Sequence, residues 1–287
     1  MPELPEVETI RLGLQKYLVG HRIVNVQVRA PKLFQGNPED VIGAKVKDIR
    51  RVGKGLIIDL DNGFSMAIHI KLTGQLIYRG DETKNVQVSK EKVGQVPSNA
   101  THVIFTLDKK AVLYYNDRRR FGWIKVLATD QVGNLPFFRE MGPEPPVAKE
   151  MEGKALTLEK FKEILTKSNT AVKPLIMDQK KIGGIGNIYA NDALFMAGID
   201  PRRKANTLTA KEMEALYKAI LFVMEKSFKY GGASELNFVN ALGQEGEYQN
   251  HALVYGKEGE KCPKDQTVIK KFFLGGRGTY MCSYHQK

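Results

Sequence analysis

Cysteine and long apolar runs are scarce in this 287-residue sequence, and acidic charge is outnumbered by basic. Cys262 and Cys282 are its only two thiols, which excludes a disulfide framework and leaves the pair to be explained. Stretches such as Leu56 to Ile58 or Ala219 to Met224 fall far short of the ~20 apolar residues that a bilayer helix needs. The acidic opening MPELPEVE is not followed by the apolar core of a signal peptide, so the expected location is the cytoplasm, with no membrane contact. Acid is scarce beside base: 32 Asp+Glu face 44 Lys+Arg, and the net charge of +12 asks for a polyanionic partner. A hydrophobic fraction of 42% suffices for real cores and excludes a disordered chain.

Val7, Ile10, Leu14 and Leu18 recur at helical spacing, with Pro5 in the first turn and Gly20 just past the end, and predict a helix over 4–18. From 21 to 127 the pattern becomes short alternating or β-rich runs, among them RIVNVQVRA, GLIIDL and THVIFTLDKKAVLYY, which read as a β-sandwich or barrel. The stretch 131–153 breaks this periodicity and is expected to be a linker. Helical patterns follow at 157–167, 171–179, 187–197 and 209–229, and the last 37 residues return to short β runs around glycine turns. The expected organisation is α+β: a helix and sandwich over 1–130, the linker, a helical domain over 154–250 and a hairpin over 251–287.

Four motifs carry chemistry. At the amino terminus, removal of Met1 would leave the secondary amine of Pro2 beside Glu3 and Glu6, and an α-amine with a pKa of about 8 is a nucleophile able to form an iminium with a sugar aldehyde carbon. The same residues also make an ordinary helix start. NDRRRFGW at 116–123 sets three arginines against Phe121 and Gly122, a combination suited to phosphates, an unpaired base and an opened base stack, as well as to a plain hairpin turn. In KPLIMDQKKIGGIGNIYA the glycines run into a helix starting near Asn187, an anion site or a tight corner between helices, and it lacks the Lys-Ser/Thr of a nucleotide-binding loop. In the tail, Cys262 and Asp265, then Cys282 and His285, each keep two intervening residues, which is zinc-ribbon spacing.

Taken in order, these motifs resemble the formamidopyrimidine-DNA glycosylase family, including its endonuclease VIII branch, across the whole chain. MPELPEVET, RVGKG at 51–55, HIKLTG at 69–74, RRFG at 119–122, DQKKIGGIGNIYA at 178–190 and GGASELNFVNALGQEGEYQ at 231–249 carry the likeness. It implies an N-terminal β-sandwich domain, a C-terminal helix-two-turn-helix domain and a terminal β-hairpin zinc finger, with DNA held between the halves. It further implies a monomeric glycosylase and AP lyase that removes oxidised purines such as 8-oxoguanine and formamidopyrimidines from double-stranded DNA, followed by β,δ-elimination in base excision repair.

By the same resemblance Pro2 is the nucleophile, Glu3 the acid/base, and Lys54 and Arg277 are phosphate-side proton donors. Leu72, Arg119 and Phe121 fill the void left by the flipped base, with Arg119 facing the orphaned partner. Arg120, Lys173 and Asn187 contact phosphates. One structural zinc is expected on Cys262, Asp265, Cys282 and His285, and no cofactor enters the chemistry. The sequence departs from the family at several points. Leu72 replaces a methionine of similar volume. Ala100 replaces the first histidine of a pair, so that His102 alone remains as a DNA contact. Asn169 stands where a basic residue is common, and Asp192 replaces a glutamate. Leu236 replaces an arginine in the lesion-capping loop, and Asp265 and His285 replace cysteines. The rival classes are a basic zinc-finger protein that binds DNA without cutting it and an RNA- or ribosome-associated protein; Glu3 beside Pro2 favours the enzyme.

Overall fold

The computed structural model describes residues 1–147 and 154–287, so part of the expected 131–153 linker lies outside the described residues. The chain divides into two compact units, Met1–Glu140 with Tyr230–Glu247, and Met141–Lys229 with Tyr248–Lys287. The segment 230–247, expected inside the helical domain, thus packs with the first unit.

The first unit opens with α1, Leu4–Tyr17, whose buried Val7, Ile10 and Leu14 form one stripe of its surface. Nine strands follow: β1 Ile23–Val28, β2 Phe34–Gln35, β3 Val46–Val52, β4 Gly55–Leu60, β5 Phe64–His69, β6 Gly74–Arg79, β7 Thr101–Leu107, β8 Val112–Asp117 and β9 Trp123–Ala128. They make a four-stranded sheet in the order β1-β7-β8-β6 and a five-stranded sheet in the order β2-β9-β5-β4-β3. The main core gathers the α1 stripe with Ile49, Leu56, Ile58 and Ile68 from one sheet and Leu76, Val103, Phe105 and Tyr115 from the other. This is a sandwich, not a barrel.

β4 is buried at every position because its sheet is covered on both faces. The outer cover consists of residues read as linker: Val132, and Phe138 on α2, Pro136–Arg139, pack on Ile57 and Ala67. The outer face of the four-stranded sheet is covered likewise, with Ile77 packed against Val93 and Val239.

The second unit carries α3 Leu158–Thr166, α4 Val172–Ile176, α5 Asn187–Ala197 and α6 Ala210–Lys229. Thr157 caps α3 by accepting from Lys160 N at 3.1 Å, and Gly198 ends α5 in the left-handed region at φ 71°. Met213, Leu216, Ile220 and Val223 give α6 its buried face. α4 is shorter than expected, since the Gln179 side chain donates to the carbonyls of Met177 and Ile185 and accepts from Gly184 N, folding 178–186 into a turn. The chain closes with a hairpin of β10 Lys270–Leu274 and β11 Arg277–Met281. Gly275 and Gly276, at φ 57° and 71°, supply the two left-handed residues that a two-residue hairpin turn of this type requires. Among the described residues no helix is long and apolar enough to cross a membrane.

Candidate active site and metal centre

In the first unit the terminal amine, Glu3, Glu6 and Lys54 form one electrostatic group. Burial is the largest influence on the amine of Met1 and lowers its pKa below the usual 8.0; Lys54 pushes the same way, while Glu3, Glu6 and Glu235 oppose it. Glu3 and Lys54 are themselves only 2% and 4% exposed. Glu6 holds the arrangement from both sides: one oxygen accepts from Glu3 N and the other from Ala233 N, each at 2.8 Å. Ala233 follows Gly232, where a Cβ would stand 2.8 Å from the Phe238 ring and 3.1 Å from the Glu6 side chain, and whose φ is +90°. Only glycine lets that segment approach so closely. The segment then exposes two residues, Glu235 and Leu236, before Phe238 is buried again.

Two turns on the same unit carry the residues expected to fill a void. Leu72, half-buried, lies in the turn between β5 and β6, while Arg119, Arg120 and Phe121 are exposed between β8 and β9. Asp117, fully buried, fastens both turns: its carboxylate accepts from Thr73 Oγ1, from Arg119 N at 3.1 Å and from Gly122 N at 2.8 Å. At Gly122 a Cβ would meet the Tyr115 hydroxyl, so glycine is again required. The Arg119 guanidinium lies over the Phe121 ring, 4.8 Å from its centroid, and the pair stands together before any ligand arrives. His69 accepts from Lys71 N at 2.9 Å through Nδ1 and so pins the turn that bears Leu72. Burial, then the charges of Lys71 and Lys54, depress its pKa to about 3, so the ring is neutral.

His102 is placed otherwise than expected. It is 2% exposed, with Nε2 on the Asp117 carbonyl at 2.9 Å, and props the arginine turn from below instead of facing a ligand.

In the second unit Lys173, also wholly buried, donates through Nζ to Gly278 O at 2.9 Å and to Thr279 Oγ1 at 2.7 Å. Asn187 Nδ2 donates to the same Gly278 carbonyl at 3.1 Å. Both residues therefore hold the hairpin beside Arg277, which is exposed. Asp192 takes a structural part: its carboxylate accepts from Tyr248 OH, Leu253 N, Val254 N and Tyr255 N at 2.8 to 3.0 Å.

At the base of the hairpin the ligand atoms of Cys262, Asp265 and Cys282 lie within 4.8 Å of one another, close enough to hold a metal ion. Backbone N–H groups of Lys264 and His285 each point at a cysteine sulfur at 3.4 Å, while burial, with the hydrogen bond to Asp265 adding to it, pushes the Cys282 thiol up. Burial would push the Asp265 carboxyl up, but hydrogen bonds from Thr267 and the two thiols outweigh it and hold it at about 2. His285 is not in this group; its Nε2 lies 2.8 Å from Phe195 O and its ring packs on Phe195. Two thiolates and a carboxylate fit a borderline-soft divalent ion such as zinc.

Residues 1–124 match the model of the formamidopyrimidine-DNA glycosylase N-terminal domain, and residues 141–238 that of the formamidopyrimidine-DNA glycosylase H2TH domain. The chain belongs to the formamidopyrimidine-DNA glycosylase family. It is 37% identical over 292 residues to the formamidopyrimidine-DNA glycosylase of Pelotomaculum thermopropionicum, covering 100% of this chain and 99% of that one. The formamidopyrimidine-DNA glycosylase of Lactiplantibacillus plantarum is also 37% identical, over 291 residues and 100% of each chain. Among solved structures, the Lactococcus lactis Fpg bound to DNA containing an abasic site superposes with a TM-score of 0.86 at 30% identity over 99% of each chain. The same organism's wild-type Fpg with DNA containing N7-benzyl-Fapy-dG gives 0.86 at 31% identity over 100% of each. In formamidopyrimidine-DNA glycosylase terms, the sequence pointed to the terminus, both turns and the finger. It set Glu6 beside the amine without its tie to Ala233, 227 residues away, and it missed Asp117, whose bond to Thr73 spans 44 residues.

Proposed function

We propose that this chain is a DNA glycosylase of base excision repair that releases oxidised purines from duplex DNA and then cleaves the strand as an AP lyase. The observation that carries the reading is the terminal amine whose pKa burial and Lys54 lower, set beside the carboxylates of Glu3 and Glu6. With Met1 removed, the Pro2 amine would stand in that field and attack C1′ of the damaged nucleotide. The C1′–N9 bond breaks, the base leaves with a proton, and Glu3 serves the opening sugar as acid/base. The resulting iminium acidifies C2′–H. Loss of that proton expels the 3′ phosphate, and a second elimination expels the 5′ phosphate. Lys54 and Arg277 would supply protons on the phosphate side. Leu72, Arg119 and Phe121 would occupy the space left by the extruded nucleotide, Arg119 on the orphaned base, with Arg120 on the backbone. Residues 1–130 then form the catalytic domain, with 230–247 added to it, and the protein acts as a monomer on chromosomal DNA.

The finger would hold zinc through Cys262, Asp265, Cys282 and His285. A carbonyl can only accept, so His285 Nε2 bears the proton that meets Phe195 O, which leaves Nδ1 as the ligand nitrogen, the pattern of metal-bound histidines. When bound, the ion supplies structure and takes no part in the reaction.

Borohydride reduction during incubation with a duplex carrying one 8-oxoguanine tests the function. A covalent protein–DNA adduct is expected, and binding without an adduct would return the chain to the class of non-catalytic DNA binders.

A further inference from the structure

One side-chain amide in the first unit is used at both ends, by segments that the proposed reaction has to coordinate. Gln75, the second residue of β6, is 4% exposed. Its Nε2 donates to the carbonyls of Lys92 at 3.1 Å and Asn237 at 2.9 Å, while its Oε1 accepts from Asn116 Nδ2 at 3.3 Å. Two carbonyls can only accept, so the amide has a single tenable orientation.

Each partner belongs to a different working part. Asn116 precedes Asp117, the carboxylate that fastens the Arg119 turn. The Lys92 carbonyl also accepts from Arg118 Nη2 at 3.3 Å, which ties the first arginine of that turn to the same point. Asn237 immediately follows the exposed Glu235 and Leu236, whose other foot is held by Glu6 at Ala233. The turn that bears Lys92 is fixed to the far end of that segment, through Ser89 N on Gly243 O at 2.8 Å and Lys92 Nζ beside Glu245 Oε2 at 3.4 Å. Displacing either the arginine turn or the 235–236 tip strains one of the bonds to Gln75, and a buried amide stripped of partners is costly.

We infer that Gln75 is a positioning residue that couples reading of the orphaned base by Arg119 and Phe121 to the seating of Glu235 and Leu236 over the extruded nucleotide. The inference rests on the glycosylase reading above. Gln75 itself touches no substrate.

The test is single-turnover kinetics of Gln75→Ala, with Gln75→Met as the volume-matched variant lacking the amide should the first fail to fold. Release of 8-oxoguanine is expected to fall about tenfold, part of what the three lost hydrogen bonds are worth together. The preference for one opposite base over another should shrink toward that of Arg119→Ala, and in the double variant the two losses of preference should not add. Cleavage of a preformed abasic site should stay within roughly twofold, because no base remains for the tip to cover. Unchanged opposite-base preference, additive losses, or an equal fall in base release and abasic cleavage would each overturn the inference. Failure of the glycosylase reading itself shows separately, as absence of a borohydride adduct with the unaltered protein.

Discussion

The Glu6 carboxylate accepts from Ala233 N at 2.8 Å, although 227 residues separate them in sequence. Through its second oxygen it also fixes Glu3 N, so one buried side chain sets the first turn of α1 against the loop that exposes Glu235 and Leu236. Glutamine keeps one acceptor but turns an N–H toward a buried N–H. Glu6→Gln should therefore cost roughly 1–3 kcal/mol of stability in chemical denaturation. It should also slow base release more than abasic cleavage; equal kinetics would place Glu6 outside the site.

The environment of the amine predicts a signed pH profile. A protonated amine cannot attack, so adduct formation on an abasic site should rise with pH through a midpoint below 8.0. Lys54 lowers the amine pKa and Glu3 raises it. Lys54→Gln should thus move the midpoint up and Glu3→Gln should move it down. Retention of Met1, or Pro2→Gly, should abolish or strongly slow trapping, and undiminished adduct with Met1 in place would sink the assignment of Pro2.

His69 makes the fold sensitive to acid. Its folded-state pKa is depressed from 6.5 to about 3, so the unfolded chain takes up the proton first and stability falls as pH drops through that window. The loss from this residue approaches about 1.4 kcal/mol per pH unit between the two values. Urea denaturation at stepped pH should show this slope, and His69→Asn, which cannot titrate, should flatten it while loosening the turn that carries Leu72.

What the sequence could disclose is divided by range. The α1 stripe, the alternating strands and the Gly275–Gly276 turn follow from neighbouring residues, and so were legible. Residues 131–139 fall in the stretch that reads as linker because Pro136, Gly133 and Asn134 obscure a periodicity too short to register, yet Val132 and Phe138 are buried on the sheet. His102 and Lys173 look like ligand contacts in one dimension, since a basic side chain carries no sign of its burial. Only the fold shows that the Asp117 and Gly278 carbonyls claim them.

Arg119 and Arg120 adjoin in sequence but should separate in assay. Arg120 is proposed on the backbone, so Arg120→Ala should weaken lesion-bearing and intact duplexes alike and reduce the salt slope of binding by about 1. Arg119→Ala should leave that slope unchanged and erase opposite-base preference. Because Asp117 presets the turn, Asp117→Ala should reproduce the Arg119 defect even though Arg119 is still present. Preserved preference in either variant would contradict the arrangement.

The finger offers the most direct measurement. Cys262 and Cys282 are both fully buried against Phe195, Val254 and Ile269, and Asp265 lies between their sulfurs. Without an ion, the carboxylate would accept from two thiols and the cluster would be a hydrogen-bonded plug. With one, the ligand atoms of Cys262, Asp265 and Cys282 would close on it, joined on the proposed reading by the His285 imidazole, and would lock the hairpin base that Lys173 and Asn187 grip near its tip. Metal analysis of the purified protein should find about one zinc per chain. Cobalt exchanged into the site should show the intense visible absorption of a tetrahedral thiolate complex, weakened in Cys262→Ser and shifted in His285→Ala. Chelation should lower the melting temperature and DNA affinity together, since Arg277 depends on the hairpin for its place. Substoichiometric metal in protein that retains full affinity would establish the plug instead, and would leave the chemistry at the amino terminus untouched.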